Sequence, residues 1–328
     1  MRTPLALFAV VIAAIVALPV LSVGANLFAG GTGDTWSHLA ATVLGEYVAN
    51  SLLLCLGVGL GVAALGTGAA WLVALYEFPG RRVFEWALLL PMAMPAYVMA
   101  YTYTDLLQFV GPLQSALRES FGWRHGDYWF PDVRTLGGAV AMFSCVLYPY
   151  VYLLVRTAFK ERAASLVDAA RVLGLSHFAA FVRISLPLAR PAIAAGVALA
   201  LMETLADYGT VAYFAVSTFT TGIYRAWFSL GDRVAAAQLA ACLLGFVLLL
   251  LALERASRGR ARYHGGGAQR TPRRRALSGL RAWLAAAGCM VPLTIGFLLP
   301  AGLLVKMAWG EGDAAFGGVT GGGIVPPR

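Results

Sequence analysis

Residues 51–75 read SLLLCLGVGLGVAALGTGAAWLVAL, twenty-five positions without a single charged side chain. Roughly 20 mainly apolar residues are enough to cross a bilayer as a helix. In lipid, that helix must satisfy its own backbone hydrogen bonds. Working outward, six further runs have the same character: 5–24, 84–107, 136–155, 192–215, 236–253 and 283–305. The whole chain agrees with them. Of its 328 residues 59% are hydrophobic and 12% charged, and its mean hydropathy is +0.73. A soluble domain carries about 25% charged residues, so a water-soluble enzyme is excluded. Disorder is excluded by the apolar content, and collagen by 37 glycines without a three-residue period. The expected fold class is an all-α membrane protein, a polytopic bundle of about seven transmembrane helices.

The first run follows Arg2 and ends near Ser22 and Gly24, which would also suit a signal peptide. Its unbroken length favours a retained helix. Basic residues orient the rest. With the N-terminus cytoplasmic, the segments 1–4, 76–83, 156–191 and 254–282 face inside. They hold eighteen of the 25 Lys and Arg, including Arg81, Arg82, Arg156, Lys160, Arg183, Arg190 and nine arginines from Arg255 to Arg281. That asymmetry is the positive-inside signal. The Gly-rich, Arg-rich stretch 256–282 reads as a basic linker facing anionic lipid, with no nucleic-acid role. Cys55, Cys145, Cys242 and Cys289 stand far apart in apolar runs and read as packed thiols, with no disulfide framework or zinc site.

Within the spans, Gly57 and Gly61 form a GxxxG pair suited to close helix packing. Pro91 and Pro95 predict a bend in the third span, serving either a translocation path or packing alone. Tyr97, Tyr101, Tyr103, Tyr148, Tyr150 and Tyr152 are expected mainly as an interfacial belt. Glu203 and Asp207, four apart, share one face of a helix. Carboxylates inside an apolar run usually face a bundle interior or a wet cavity. With Tyr101 and Tyr208 they are the candidate pathway-lining groups; the alternative is a helix ending near residue 205 that leaves them in water.

Between the fourth and fifth runs lies Asp168-Ala169-Ala170-Arg171-Val172-Leu173-Gly174, then nine residues to Ile184-Ser185-Leu186-Pro187. Alanine and leucine favour a short helix over 161–173. Gly174 stops it and Ser176 starts another. A second short helix over 177–186 is expected to close at Pro187 and Pro191. Such a helix–turn–helix knob suits capture in a partner's groove.

This segment resembles the EAA motif of ABC importer permeases: Glu-Ala-Ala, three residues, Gly, nine residues, Ile-x-Leu-Pro, here with Asp168 in place of Glu. The resemblance implies the type I (MetI-like) permease fold. It implies that Asp168, Ala169, Ala170 and Gly174 contact a cytoplasmic ATPase, with Ile184, Leu186 and Pro187 anchoring the loop to the bundle. Met202 to Thr210, Tyr213 to Asp232 and Leu88 to Leu107 look like the ferric-iron permeases. That similarity implies ferric iron delivered by a periplasmic iron-binding protein, a pair of ATPase subunits, membrane lipid and a second permease half as partners, and a bacterial inner membrane. Such permeases usually fuse two halves. This chain carries one EAA loop, so it is expected to be truncated near 310–328, with 1–49 as a first helix and external loop, 50–255 as the permease domain, and 283–328 as the opening of an incomplete second half.

The only lysines, Lys160 and Lys306, do not follow glycine, so no P-loop exists. ATP is therefore used by a partner, this chain binds no cofactor of its own, and no catalytic residue is assigned. A metal-ligand set is not legible. A polytopic enzyme would need a nucleophile and base, and His38, His125, His177 and His264 lie in separate loops. The competing expectation is a permease of the same class for thiamine, a polyamine or a phosphonate.

Overall fold

The computed structural model describes residues 2–26, 35–124, 126–160, 174–258 and 274–317. Among them are six helices long and apolar enough to cross a membrane, and a seventh crossing if one sharply bent pair counts as a span. The helices in chain order are α1 (Arg2–Ala25), α2 (Thr35–Thr42), α3 (Leu44–Leu75), α4 (Arg81–Ala87), α5 (Ala96–Leu107), α6 (Pro112–Phe121) and α7 (Leu136–Ala158), followed by α8 (Leu186–Ala206), α9 (Gly209–Tyr213), α10 (Phe219–Tyr224), α11 (Arg233–Arg258), α12 (Leu280–Leu293) and α13 (Leu299–Gly317). The all-α expectation holds but for a two-residue parallel bridge, β1 (Tyr76–Glu77) to β2 (Arg275–Ala276).

The core is the α3–α7 pair with α8 laid across both. Its cause is the glycine stripe. A Cβ on Gly66 would stand 2.6 Å from Val151 Cβ and 2.8 Å from the Tyr148 carbonyl oxygen, and one on Gly61 would overlap the Ser144 hydroxyl. The backbones touch, as small residues permit in lipid, where dispersion rather than water expulsion joins helices. Tyr148, Val151, Tyr152 and Val155 are fully buried against this stripe. A second core joins Tyr47 to Phe219 and Leu239, binding α3, α10 and α11 at the other end.

The third apolar run is two helices rather than one kinked span. A 3-10 turn, Leu90–Ala93, separates α4 from α5, and the chain bends by 89° between Arg81–Ala93 and Ala96–Phe121. Pro91 is the second residue of that turn and Pro95, at φ −60°, caps α5 in extended conformation. Neither nitrogen can donate, so the ladder breaks where the sequence puts them. The fifth run is corrected at both ends. A helical turn (His177–Ala180) and a π-turn (Phe181–Ser185) run straight into α8, so Pro187 and Pro191 do not close a short helix. Pro187 lies inside this continuous helical path, and the π-turn before it, which carries the Leu186 amide to the Phe181 carbonyl, is the local adjustment beside its missing N–H. At the far end α8 stops at Ala206, not 215. The last run extends the expected 283–305 to 280–309. It too contains a π-turn, Thr294–Leu298, whose freed Ile295 carbonyl accepts the Tyr103 hydroxyl.

The tyrosine belt needs revision for three of its members. Tyr148 and Tyr152 are fully buried, Tyr152 donates to the Glu85 carbonyl (3.0 Å), and Tyr103 joins α5 to the last helix. Tyr97 and Tyr101 do face outward. The thiols behave as expected: all four cysteines are free.

Candidate functional site

One end of the bundle gathers the basic segments. β1 lies beside β2, so the chain returning from the Arg-rich linker meets the end of α3, and Leu277 N–H bonds the Glu77 carbonyl at 2.9 Å. Phe181 packs on Trp71 (ring centroids 4.4 Å) and beside Phe159 (6.2 Å), which brings the start of the α8 span to the same end. Beneath sits Glu85, with a largely buried side chain. Arg81 reaches its carboxylate at 3.1 Å, Arg156 at 3.7 Å, and Lys160 forms a close ion pair. Its backbone carbonyl accepts from Arg156 at 2.7 Å as well as from Tyr152. Arg81 also pairs with Glu77 at 3.0 Å.

Of the expected knob, residues 174–187 fall within the described residues. Asp168, Ala169, Ala170 and the helix expected over 161–173 lie outside the described residues. Gly174 is exposed with φ +88°, in the left-handed region where a Cβ is penalised. Ser176 Oγ accepts the Ala179 amide (3.2 Å), as an N-cap does. Ile184, Leu186 and Pro187 are half-buried, whereas Ser185 and Ala189 between and after them are fully buried.

At the opposite end the chain between α8 and α11 folds into short pieces. Asp207 leaves the α8 helix with extended backbone, so Glu203 and Asp207 do not share a helix face. Its carboxylate instead caps α9, taking the Thr210 amide at 2.6 Å and the Thr210 hydroxyl at 2.9 Å, while its carbonyl accepts from Thr220 at 2.9 Å. An acceptor two or three residues ahead of exposed amides ends one helix and starts the next. Glu203 faces outward. Tyr101 packs edge-on against Tyr213 (5.9 Å) and Tyr208 stacks on Tyr224 (4.4 Å). The expected quartet is therefore split. Tyr208 lines a polar recess of about 320 Å³ with Ser217, Thr221, Tyr224, Arg225 and Ser229. Glu203 and Tyr101 are not among its lining residues.

The sequence places Arg225 among the external basic residues but gives it no site role, because a lone arginine in a loop has no periodic or motif context. No ion pair to it forms among the described residues. The recess wall is built on Ala215, the described non-glycine residue with positive φ (55°), where the Val216 amide bonds back to Val211 (2.9 Å). Among the described residues no three His, Cys, Asp or Glu side chains cluster closely enough to hold a metal.

A bundle of six or seven apolar helices long enough to cross a bilayer places this chain among multi-pass membrane proteins. Residues 63–263, over half the chain, match the family described as "binding-protein-dependent transport system inner membrane component", and the chain is a member of that family, the permeases of ABC importers. It is thus a multi-pass inner-membrane transport subunit and not an enzyme. It is 28% identical over 224 residues to the Fe(3+)-transport system permease protein FbpB 2 of Haemophilus influenzae, covering 68% of this chain and 40% of that one. It is 32% identical over 178 residues to a probable sulfate transport system permease of Chlorokybus atmophyticus, covering 54% and 59%. With the molybdenum transport system permease ModB of Escherichia coli it shares 28% over 190 residues, covering 56% and 79%. The chain thus spans less than two thirds of the length of the first two relatives, 40% and 59%. In fold it is similar to a bacterial alginate ABC transporter crystallised with an alginate-bound periplasmic protein (TM-score 0.59, 16% identity, 81% of this chain and 98% of that one).

Proposed function

We propose that this chain is the membrane half of an importer that passes a small inorganic ion inward, with ferric iron the first reading. An external binding protein presents the ion at the α8–α11 end. Cytoplasmic ATPase subunits, as a pair, grip residues 161–187 and drive the bundle between outward- and inward-open arrangements by rigid-body rocking. A second permease half completes the pathway, and the N-terminus is cytoplasmic. What supports this reading is the Asp168–Pro187 motif in the sequence, with Gly174 in the left-handed turn conformation and Phe181 packed on Trp71 at the basic end. Ferric iron is favoured because the ferric-iron relative matches the longest stretch of this chain among the three compared.

One observation favours a second cargo class. The recess offers hydroxyls and the guanidinium of Arg225, and no carboxylate lines it among the described residues. That set suits a tetrahedral oxyanion such as sulfate or molybdate better than a bare trivalent cation. The test is uptake in cells expressing the chain with its neighbouring binding protein and ATPase, using radiolabelled ferric citrate, sulfate and molybdate in parallel. Ferric iron uptake that survives Arg225→Gln supports the first reading. Sulfate or molybdate uptake lost in Arg225→Gln supports the second. ATP-independent uptake of any of them would overturn both.

A further inference from the structure

The Glu85 cluster has a form that a simple surface ion pair lacks. One carboxylate gathers three cations from two distant parts of the chain, Arg81 beside it and Arg156 and Lys160 more than seventy residues on. Its own backbone carbonyl is held twice more by the same end of α7, through Tyr152 and Arg156. The Arg156 guanidinium also lies over the rings of Trp86 (5.9 Å) and Tyr152 (5.5 Å). α4 needs this hold. It has seven residues, Phe84 and Arg81 are buried, but Val83 and Trp86 face outward. Little apolar packing fixes its direction.

Both ends of this connection matter. Lys160 is the last described residue before the loop proposed to receive the ATPase. α4 leads through the Pro91–Pro95 break into α5, and α5 packs on α9. There Tyr97 lies so close to Gly209 that a Cβ would stand 2.7 Å from the Tyr97 Cβ, and Tyr101 meets Tyr213. Ala212, in α9, lines the recess with Tyr208 just before it. A continuous run of packed pieces joins the root of the loop to the wall of the recess, and among the described residues the ion pairs along it gather around Glu85. Rigid elements with discrete contacts are what can carry a displacement across a membrane protein.

We infer that Glu85 is a positioning residue for transport: its carboxylate clamps the root of the 161–187 loop to α4, so that a push on the loop tilts the α4–α5 elbow and reshapes the recess. The inference rests on the coupling role proposed above. A purely structural Glu85 would neutralise nearby cations, and its loss would lower stability without changing how ATP is spent.

The test uses the assembled transporter with its ATPase, reconstituted with loaded binding protein. Glu85→Gln keeps the side-chain shape and the backbone contacts; Lys160→Gln removes only the partly exposed loop-root contact and guards against a misfolded first variant. Three quantities are read: ATPase retained on purification, ATP hydrolysed per folded complex, and uptake of whichever of labelled ferric citrate, sulfate or molybdate the wild type carries. The expected result is retained ATPase with uptake per ATP lowered at least about fivefold in each single variant, and a double variant no worse than Glu85→Gln alone, because both act through one link. Uptake per ATP within twofold of wild type in both variants would overturn the inference, as would fully additive losses. If wild type itself retains no ATPase, the coupling reading falls first and the inference falls with it.

Discussion

α1 and α7 are both apolar helices of about the same length, and they live in opposite surroundings. α1 is the more apolar, yet none of its span is buried within the chain; well over half of α7 is buried. The difference is in which small and polar residues interrupt the run. α7 sets Ser144 and Val151 against the glycines of α3 and sends Tyr152 and Arg156 to Glu85. α1 presents Leu7, Phe8, Ile15, Leu18 and Leu21 outward, with side contacts to α11. In lipid, apolarity gets a helix into the membrane, and only close backbone approach and satisfied polar groups decide whether it joins a core.

The comparison can be broken by overfilling the packed seam. Gly66→Leu forces a branched side chain into the Tyr148 and Val151 backbone and should cost about 3 kcal/mol or more, read as a loss of monodisperse protein in detergent and a large fall in melting temperature. A smaller loss is expected from Trp71→Ala, which removes the ring against Phe181 where the α8 span meets the α3–α7 pair: about 1 kcal/mol for the ring pair plus the lost packing. A proteolysis assay should then show earlier cleavage near residues 174–180. The smallest effect belongs to α1, where Ile15→Ala should change stability by less than about 0.5 kcal/mol. If Ile15→Ala proved as damaging as Gly66→Leu, the contrast between the helices would be wrong.

Much of the fold was legible because its determinants are local. The Gly57–Gly61 pair announced a close crossing, which Gly66 extends, and Pro91 and Pro95 announced a bend where the structure has the break between α4 and α5. Other features were hidden because they depend on distant partners. Glu85 is a single acid in an apolar context, and its value comes from Arg156 and Lys160, which no spacing rule connects to it. Asp207 was misplaced because helical spacing was extended one residue beyond the helix: once the chain turns at Ala206, four residues apart no longer means one face, and the carboxylate becomes a cap. The continuity through Pro187 was not legible because a π-turn over Phe181–Ser185 adjusts the ladder ahead of it, and Pro191 likewise sits inside α8 without ending it. The loop that carries the family resemblance was legible as a motif, while the recess and Arg225 emerged only when the segments around α9 and α10 came together.

The central claim is that this bundle is driven through residues 161–187 by an ATPase it does not contain. Its most direct test is to purify the chain with its cognate ATPase as wild type, Asp168→Lys and Gly174→Trp, and to weigh the ATPase recovered against equal amounts of folded chain. The account predicts stoichiometric recovery with wild type and a drop of roughly tenfold or more, as expected when an interface loses a buried charge or gains a clash, in each variant with folding unchanged. Full recovery of ATPase with both variants would contradict it.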